Sequence, residues 1–437
     1  MPMDVQVYPA GRLAGIINPP GSKNYTTRYL LAAALAEGES VIEHPADSED
    51  SEALQRCLID LGATLRREEN RLVVQGFGAF PRRVDSLNPG NAGAVLRFLM
   101  AVCAATLPQT TFVTQYAESL GKRPQQDLLD ALSQLGVRSM SRDGRLPITL
   151  FGGNLRGGAI KVSGEISSQY TSALLFAAPL VGEAITIEVT GEMKSKPPIR
   201  QTLRVLAEAG ITIEVAADLR RFHIPAGQRY QPRRYVVPGD YPGAAAIMAA
   251  AAVVPSDVTI ERLFEGDEQG EREAVDVLRA MGADIEHDQV ANRVRIRGGR
   301  LLHGATFDGD RFTDAVPALA AAATVAAGTT IFDNVENLRH KECDRITDYG
   351  AELRKVGANV EEERSKLIIH GRPEGLATPD ITEACSRTDH RVIMGLTIAA
   401  LRSATPVIIR DAHHVAKSYP AFFDDMRSLG ARIEIIR

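Results

Sequence analysis

Leu278-Arg279-Ala280-Met281-Gly282-Ala283-Asp284-Ile285-Glu286 is one of six versions of the same step along this chain. The others centre on Leu61-Gly62-Ala63, Leu135-Gly136-Val137, Ala209-Gly210-Ile211, Val356-Gly357-Ala358 and Leu429-Gly430-Ala431. Successive glycines lie 74, 74, 72, 75 and 73 residues apart. The 437 residues divided by six give about 73 per copy, so the whole chain reads as six units of one design. Each unit begins with an apolar stripe at helical spacing, such as Leu278 with Met281 or Leu353 with Val356. The glycine stands where a helix ends in a left-handed residue, a conformation that only glycine adopts cheaply. A strand of alternating polarity follows, as in Ala283-Asp284-Ile285-Glu286, then a turn and a second strand, as in Arg293-Val294-Arg295-Ile296-Arg297. The sixth unit reaches Ile436-Arg437 before its second strand, whereas Asp4-Val5-Gln6-Val7-Tyr8 is a strand without a unit. The N-terminal strand is therefore expected to complete the last unit.

A second six-fold series is interleaved with the first. Alanine-rich segments near 29–35, 97–106, 170–180, 244–254, 315–327 and 392–401 are apolar nearly all round, the mark of helices buried on every side. None has the roughly 18 to 20 uninterrupted apolar residues of a membrane span. The fold class is α/β (α+β): two domains of three repeats each, with buried helices inside and sheets outside. One domain is expected at 21–237, and the other at 1–20 with 238–437. The chain crosses between them at Pro19-Pro20-Gly21 and Val237-Pro238-Gly239-Asp240. Such proline- and glycine-rich crossings suit hinge closure over a ligand in an interdomain cleft.

The net charge of −5 gives no sign of a nucleic-acid or membrane partner. Four scattered cysteines without C-x-x-C read as reduced thiols in a cytoplasmic protein, and the polar first residues suggest no leader. The nine histidines have no metal-ligand spacing, and His413-His414 reads as a solvated loop pair. No P-loop or G-x-G-x-x-G occurs, no cofactor or metal is expected, and a monomer is the expected state.

The chemistry is expected just ahead of the buried helices. The six preceding segments are Gly21-Ser22-Lys23-Asn24-Tyr25-Thr26-Thr27-Arg28, Gly90-Asn91-Ala92-Gly93-Ala94, Ser167-Ser168-Gln169, Gly239-Asp240-Tyr241-Pro242-Gly243, Thr313-Asp314 and Thr388-Asp389-His390-Arg391. Unpaired N–H groups and a positive dipole end meet there, so serines, asparagines and aspartates serve as caps or an anion binds. Caps alone do not account for Lys23, Arg28, Arg97 and Arg391, cations placed where the dipole disfavours them; a negative partner would. In Asn337-Leu338-Arg339-His340-Lys341-Glu342-Cys343-Asp344-Arg345, a helix beginning here would put Lys341 and Arg345 on one face, at a cost of about 0.2–0.5 kcal/mol. Either Glu342 and Asp344 neutralise them on a solvated surface, or the face binds an anion with Glu342 beside it for proton transfer. Arg123-Pro124, Ser195-Lys196-Pro197 and Lys417 each precede an amphipathic helix. About eight cations with few acids or bases (Asp314, Glu342, Lys23) describe a site for small, multiply anionic substrates.

These motifs, in order and nearly end to end, resemble the 5-enolpyruvylshikimate-3-phosphate synthase family. The match comprises Pro20-Gly21-Ser22-Lys23, Gly90-Asn91-Ala92-Gly93 with Arg97, Arg123-Pro124, Ser167-Ser168-Gln169, Ser195-Lys196-Pro197, Gly239-Asp240, Asp314-Ala315, Lys341-Glu342 with Asp344-Arg345, Asp389-His390-Arg391 and Ala416-Lys417. The resemblance implies transfer of the enolpyruvyl group of phosphoenolpyruvate to the 5-hydroxyl of shikimate 3-phosphate through a tetrahedral intermediate, with release of phosphate. It implies that Ser167, Ser168 and Ser195 hold the shikimate phosphate and that Lys23 and Asn24 contact the same substrate. Arg28 would meet the shikimate carboxylate, Gln169 would lie between the substrates, and Asn337 and Lys341 would support the acceptor. Asp314 would be the base, with Glu342 and Lys23 moving protons. Lys23, Asn91, Gly93, Arg123, Gln169, Arg345, Arg391 and Lys417 would surround phosphoenolpyruvate.

Four positions depart from the family's usual residues: Asn24 for Ser, Ala94 for Thr, Phe98 for Pro and Pro198 for Tyr. Ala94 and Phe98 flank the expected phosphoenolpyruvate pocket, which predicts altered sensitivity to glyphosate, the family's inhibitor. The sister family that uses UDP-N-acetylglucosamine carries a reactive cysteine before Arg-Pro. The corresponding loop here, Tyr116-Ala117-Glu118-Ser119-Leu120-Gly121-Lys122, has none.

Overall fold

The computed structural model describes residues 3–193, 195–378 and 382–436. All six step glycines have positive φ, from 84° at Gly210 to 108° at Gly62 and Gly430. Each closes its helix in the same way. Gly62 N–H donates to Ile59 O and Ala63 N–H to Leu58 O, and the pair recurs as Gly282 to Arg279 with Ala283 to Leu278. The remaining four units show the same two bonds, for example Ala431 N–H to Met426 O at 3.0 Å. This is a Schellman ending, in which the residue after the glycine packs on the helix residue whose carbonyl it takes. Ala63 with Leu58, Val137 with Leu132, Ile211 with Leu206 and Ala358 with Leu353 are all buried. The apolar residue after each glycine is thus part of the stop signal.

The alanine-rich segments form the helices Lys23–Leu35, Gly93–Thr106, Ser168–Ala177, Tyr241–Val253, Val316–Ala323 and His390–Ala400. Every residue of the last three is buried. In Lys23–Leu35 and Ser168–Ala177 the residues that escape burial are Lys23, Asn24 and Gln169, all at the helix heads. Small side chains let these helices pack closely, and each fully buried leucine among them contributes about 2 kcal/mol.

Six four-stranded sheets surround the helices. In four of them the strand before a buried helix runs parallel to the strand after that helix, and an antiparallel pair completes every sheet; Thr306–Asp308, Thr329–Asp333, Lys366–His370 and Asn359–Glu363 form one such set. The N-terminal strand Val5–Val7 lies between Val407–Arg410 and Ile433–Ile435, antiparallel to both, and supplies the strand that the sixth unit lacks. Two strands are exchanged. Leu13–Ile17 pairs with Ser256–Ile260 rather than with the strand after its own helix, and Arg234–Val236 pairs with Glu37–Glu43. The chain accordingly divides into two compact units, Met1–Pro20 with Pro238–Arg437, and Gly21–Val237. No helix among the described residues is long and apolar enough to cross a membrane.

Candidate active site

In the unit Gly21–Val237, the heads of three buried helices carry the candidate residues. The N-cap residues Ser22 and Ala92 make no side-chain cap bond to Lys23–Leu35 and Gly93–Thr106, whereas Ser167 caps Ser168–Ala177 through the Gln169 N–H at 3.3 Å. Uncapped helix starts with cations beside them favour an anion. Arg28 is buried, and donates from Nε to Thr202 Oγ1 (2.8 Å), from Nη1 to Asn24 O (2.9 Å) and from Nη2 to Pro198 O (3.1 Å). These partners are neutral, and burial pulls the guanidinium down to about 10. Phe98 lies under it, 5.2 Å from the guanidinium carbon to the ring centre. Two of the departures from the family pattern, Phe98 and Pro198, therefore both touch Arg28.

Arg97 joins a second group. It donates to Gln169 Oε1 at 2.6 Å, to Ser167 Oγ at 3.4 Å and to Gln125 Oε1 at 3.0 Å, with Tyr170 beneath it at 4.9 Å. A Cβ added to Gly93 would stand 2.8 Å from Arg123 Nη1 and 3.8 Å from Gln169 Oε1, so glycine is what lets Arg123 approach the helix head. Asn91 is buried beside it, and Ser168 is the first residue of its helix. Ala94, also at this head, is partly buried. Ser195 has φ 53°, a left-handed conformation that costs a non-glycine residue, at the head of Pro197–Glu208. Lys23 pairs with buried Asp50 at 3.0 Å.

In the unit Met1–Pro20 with Pro238–Arg437, Arg345 organises the candidates. It is 1% exposed and bonds to three carboxylates: Asp389 Oδ2 at 2.7 Å, Asp314 Oδ1 at 2.9 Å and Glu342 Oε2 at 2.9 Å. Burial opposes its charge, but Asp389, Glu342 and Asp314 outweigh that and raise its proton affinity well above the ordinary value. Glu342 shares its other oxygen with buried Lys417 at 2.7 Å. Lys341 lies 3.8 Å from Asp314 Oδ1, and Arg391 Nη2 lies 3.9 Å from Asp314 Oδ2 and 4.0 Å from Asp240 Oδ2. Asn337 donates to Asp310 Oδ1 at 2.8 Å, which ties down the segment leading to Asp314.

Three sequence expectations are corrected. Lys341 and Arg345 do not share a helix face: a 3-10 turn spans Glu336–His340, and the helix starts only at Thr347. Asp344 fixes that start as a cap, accepting the Ile346 and Thr347 N–H groups at 2.9 and 3.0 Å, so Lys341 lies ahead of the helix. Glu342 and Asp344 do not both neutralise these cations on a solvated surface: the Glu342 side chain is 8% exposed and pairs with Arg345 and Lys417, whereas Asp344 is 29% exposed and pairs with Arg339. His413 and His414 are not a solvated loop pair either. They are half-buried in the 3-10 segment Ala412–Lys417 with ring centres 4.1 Å apart, and burial, then His413, push His414 down to about 4.

The sequence assigned no role to Asp50 or Thr202, nothing beyond a cap to Asp389, and no named partner to Arg97. Asp389 had a signal, since it is the N-cap of His390–Ala400 and accepts the Arg391 N–H at 2.8 Å. Asp50 and Thr202 had none, for they meet Lys23 and Arg28 only through packing.

Six repeated units and cation-lined helix heads define the enolpyruvyl transferase class of fold. The fold is similar to the solved EPSP synthase of Acinetobacter baumannii, with a TM-score of 0.83 over 100% of both chains at 24% identity. It is also similar to the enolpyruvyl transferase NikO of Streptomyces tendae, with a TM-score of 0.79 over 100% of this chain and 99% of that one at 19% identity. The chain belongs to the EPSP synthase (3-phosphoshikimate 1-carboxyvinyltransferase) family, whose model matches residues 7–426. It is 52% identical to the 3-phosphoshikimate 1-carboxyvinyltransferase of Deinococcus radiodurans, over 99% of this chain and 97% of that protein. It is 38% identical to the protein of the same name from Burkholderia pseudomallei, over 99% and 96%.

Proposed function

We infer that the chain transfers the enolpyruvyl group of phosphoenolpyruvate to the 5-hydroxyl of shikimate 3-phosphate, releasing phosphate, in aromatic amino-acid biosynthesis by the shikimate pathway. Family membership supports the reaction. The observation that carries its chemistry is the Glu342 carboxylate held between Arg345 at 2.9 Å and Lys417 at 2.7 Å, an acid–base group set among cations.

Asp314 takes the proton of the 5-hydroxyl as its oxygen adds to C2 of phosphoenolpyruvate, and Glu342 or Lys23 delivers a proton to C3. The resulting tetrahedral intermediate keeps both the phosphate and the carboxylate. Loss of a C3 proton and cleavage of the C2–O bond then release phosphate and restore the double bond. Arg123, Arg345, Arg391 and Lys417 bind phosphoenolpyruvate and stabilise the charge as cations, and Asn91, Gly93, Gln169 and Lys23 contact the same substrate. Ser167, Ser168 and Ser195 hold the acceptor phosphate, and Arg28 its carboxylate. Lys23, Asn24, Gln169, Asn337 and Lys341 complete the acceptor site. Arg28 supports this assignment, since a buried guanidinium bonded only to neutral groups gains most from an anion. The enzyme works as a cytoplasmic monomer, a compartment that suits the free thiols of Cys57, Cys103, Cys343 and Cys385.

The test is phosphate release from purified protein given phosphoenolpyruvate with either shikimate 3-phosphate or UDP-N-acetylglucosamine. Release with the first acceptor alone is expected. Release with the second alone, or with neither, would overturn the reading.

A further inference from the structure

Asp314 is held from behind by a carboxyl group with no role in the steps above. Glu271 lies in the 3-10 turn Gly270–Glu273, is 9% exposed, and accepts the backbone N–H of Asp314 at Oε1, 3.1 Å away. A glutamate so deeply buried is rare without a cation bonded to it. The charges acting on Glu271 are the Asp314 carboxylate, which raises its proton affinity, and Arg391, which lowers it. Of the other charged groups nearby, Arg272 acts on Glu273 and Tyr241, and the carboxyl groups have partners of their own. Asp240, the N-cap of Tyr241–Val253, accepts the Gly243 N–H at 2.9 Å, and Asp267 accepts the Gln269 N–H at 2.7 Å. Glu273 pairs with Arg311 at 2.9 Å, Asp276 with Arg279 at 2.7 Å, and Asp310 takes the Asn337 amide.

We infer that Glu271 is a positioning residue for Asp314: its buried carboxyl fixes the Asp314 amide, and its negative charge, once formed, makes the neighbouring carboxylate a stronger base. The inference rests on Asp314 being the base proposed above. Burial, then Asp314, push Glu271 up to about 7, so its proton leaves in the range where the enzyme would work. Two carboxyls this close titrate as a pair, and loss of the second proton leaves the site more negative and more proton-hungry. Glu271 thus does two separable things. Its oxygen orients the backbone at any pH, and its charge acts only above neutrality.

The experiment compares kcat against pH for the full-length enzyme and for Glu271→Gln, Glu271→Asp, Glu271→Ala and Asp314→Asn. Wild-type kcat is expected to rise through neutral pH. Glu271→Gln keeps an acceptor oxygen for the Asp314 N–H but cannot ionise, so that rise should vanish while KM changes little. Glu271→Asp should restore the rise. Glu271→Ala, which also loses the oxygen, should lower kcat by about 10²-fold at every pH. A Glu271→Gln profile that superimposes on that of wild type would overturn the inference while leaving the reaction intact. A fully active Asp314→Asn would instead remove the base itself, whatever Glu271 did.

Discussion

Arg345 Nε and Asp389 Oδ2 are 2.7 Å apart, and both side chains are inside the protein, 1% and 0% exposed. Because 44 residues separate them in sequence, this pair fastens the head of His390–Ala400 to the segment carrying Lys341 and Glu342. Removing one member of a buried pair strands the other's charge. Asp389→Ala should therefore destabilise the unit by about 3–5 kcal/mol, part of it from the lost N-cap. Urea unfolding measures this, and a change within about 0.5 kcal/mol would mean that the pair is not structural.

Asp314 touches Arg345 and Lys341 but is 22% exposed, against 8% for Glu342 and 0% for Asp389, so it is the carboxylate of the network best placed to exchange a proton. Asp314→Ala should cut turnover by about 10² to 10⁴-fold while leaving phosphoenolpyruvate affinity little changed. Single-turnover kinetics with equilibrium binding separates the two effects, and an active variant would exclude Asp314 as the base.

Gly93 is the close-approach point for Arg123. A Cβ there would sit 2.8 Å from Nη1, a distance that forces the guanidinium to move but leaves the flexible side chain free to do so. Gly93→Ala should fold normally and raise KM for phosphoenolpyruvate by about 10 to 100-fold, the worth of one charge-assisted hydrogen bond. An unchanged KM would place Arg123 outside that site.

His414 is held neutral in the fold, lowered from 6.5 to about 4 by burial and by His413. The unfolded chain then binds more protons than the folded one between these values, so stability is lost as pH falls through 6.5 towards 4. His414→Gln should flatten that loss, and thermal melting across this window reads it. Equal slopes for the two proteins would assign the acid sensitivity to other groups.

Much of the fold was legible because its signals are local. A Schellman ending involves six consecutive residues, so Met281-Gly282-Ala283 announces it without reference to the rest of the chain. A helix buried on all sides, such as Tyr241–Val253, is readable because every one of its residues must be small or apolar. The same logic found the missing strand of the sixth unit, which Val5–Val7 supplies. The heads of the buried helices were legible as well, because polar residues in front of an apolar helix mark its N-terminus. The family resemblance then named residues at or near those heads: Lys23, Arg123 and Gln169 in one unit, and Asp314, Glu342, Arg345 and Arg391 in the other.

The tertiary structure alone decided what these residues are bonded to. Two of the three carboxylates on Arg345 lie 31 and 44 residues away, Lys417 lies 75 from Glu342, and Glu271 lies 43 from Asp314. No periodicity encodes such pairs, because they depend on which helix heads converge once the repeats have packed. The exchange of Leu13–Ile17 for Arg234–Val236 is of the same kind: each pairs in parallel with a strand far from it in sequence. Backbone geometry answers to the nearest few residues and can be read from them. Electrostatics answers to distance in space, and so it came with the fold.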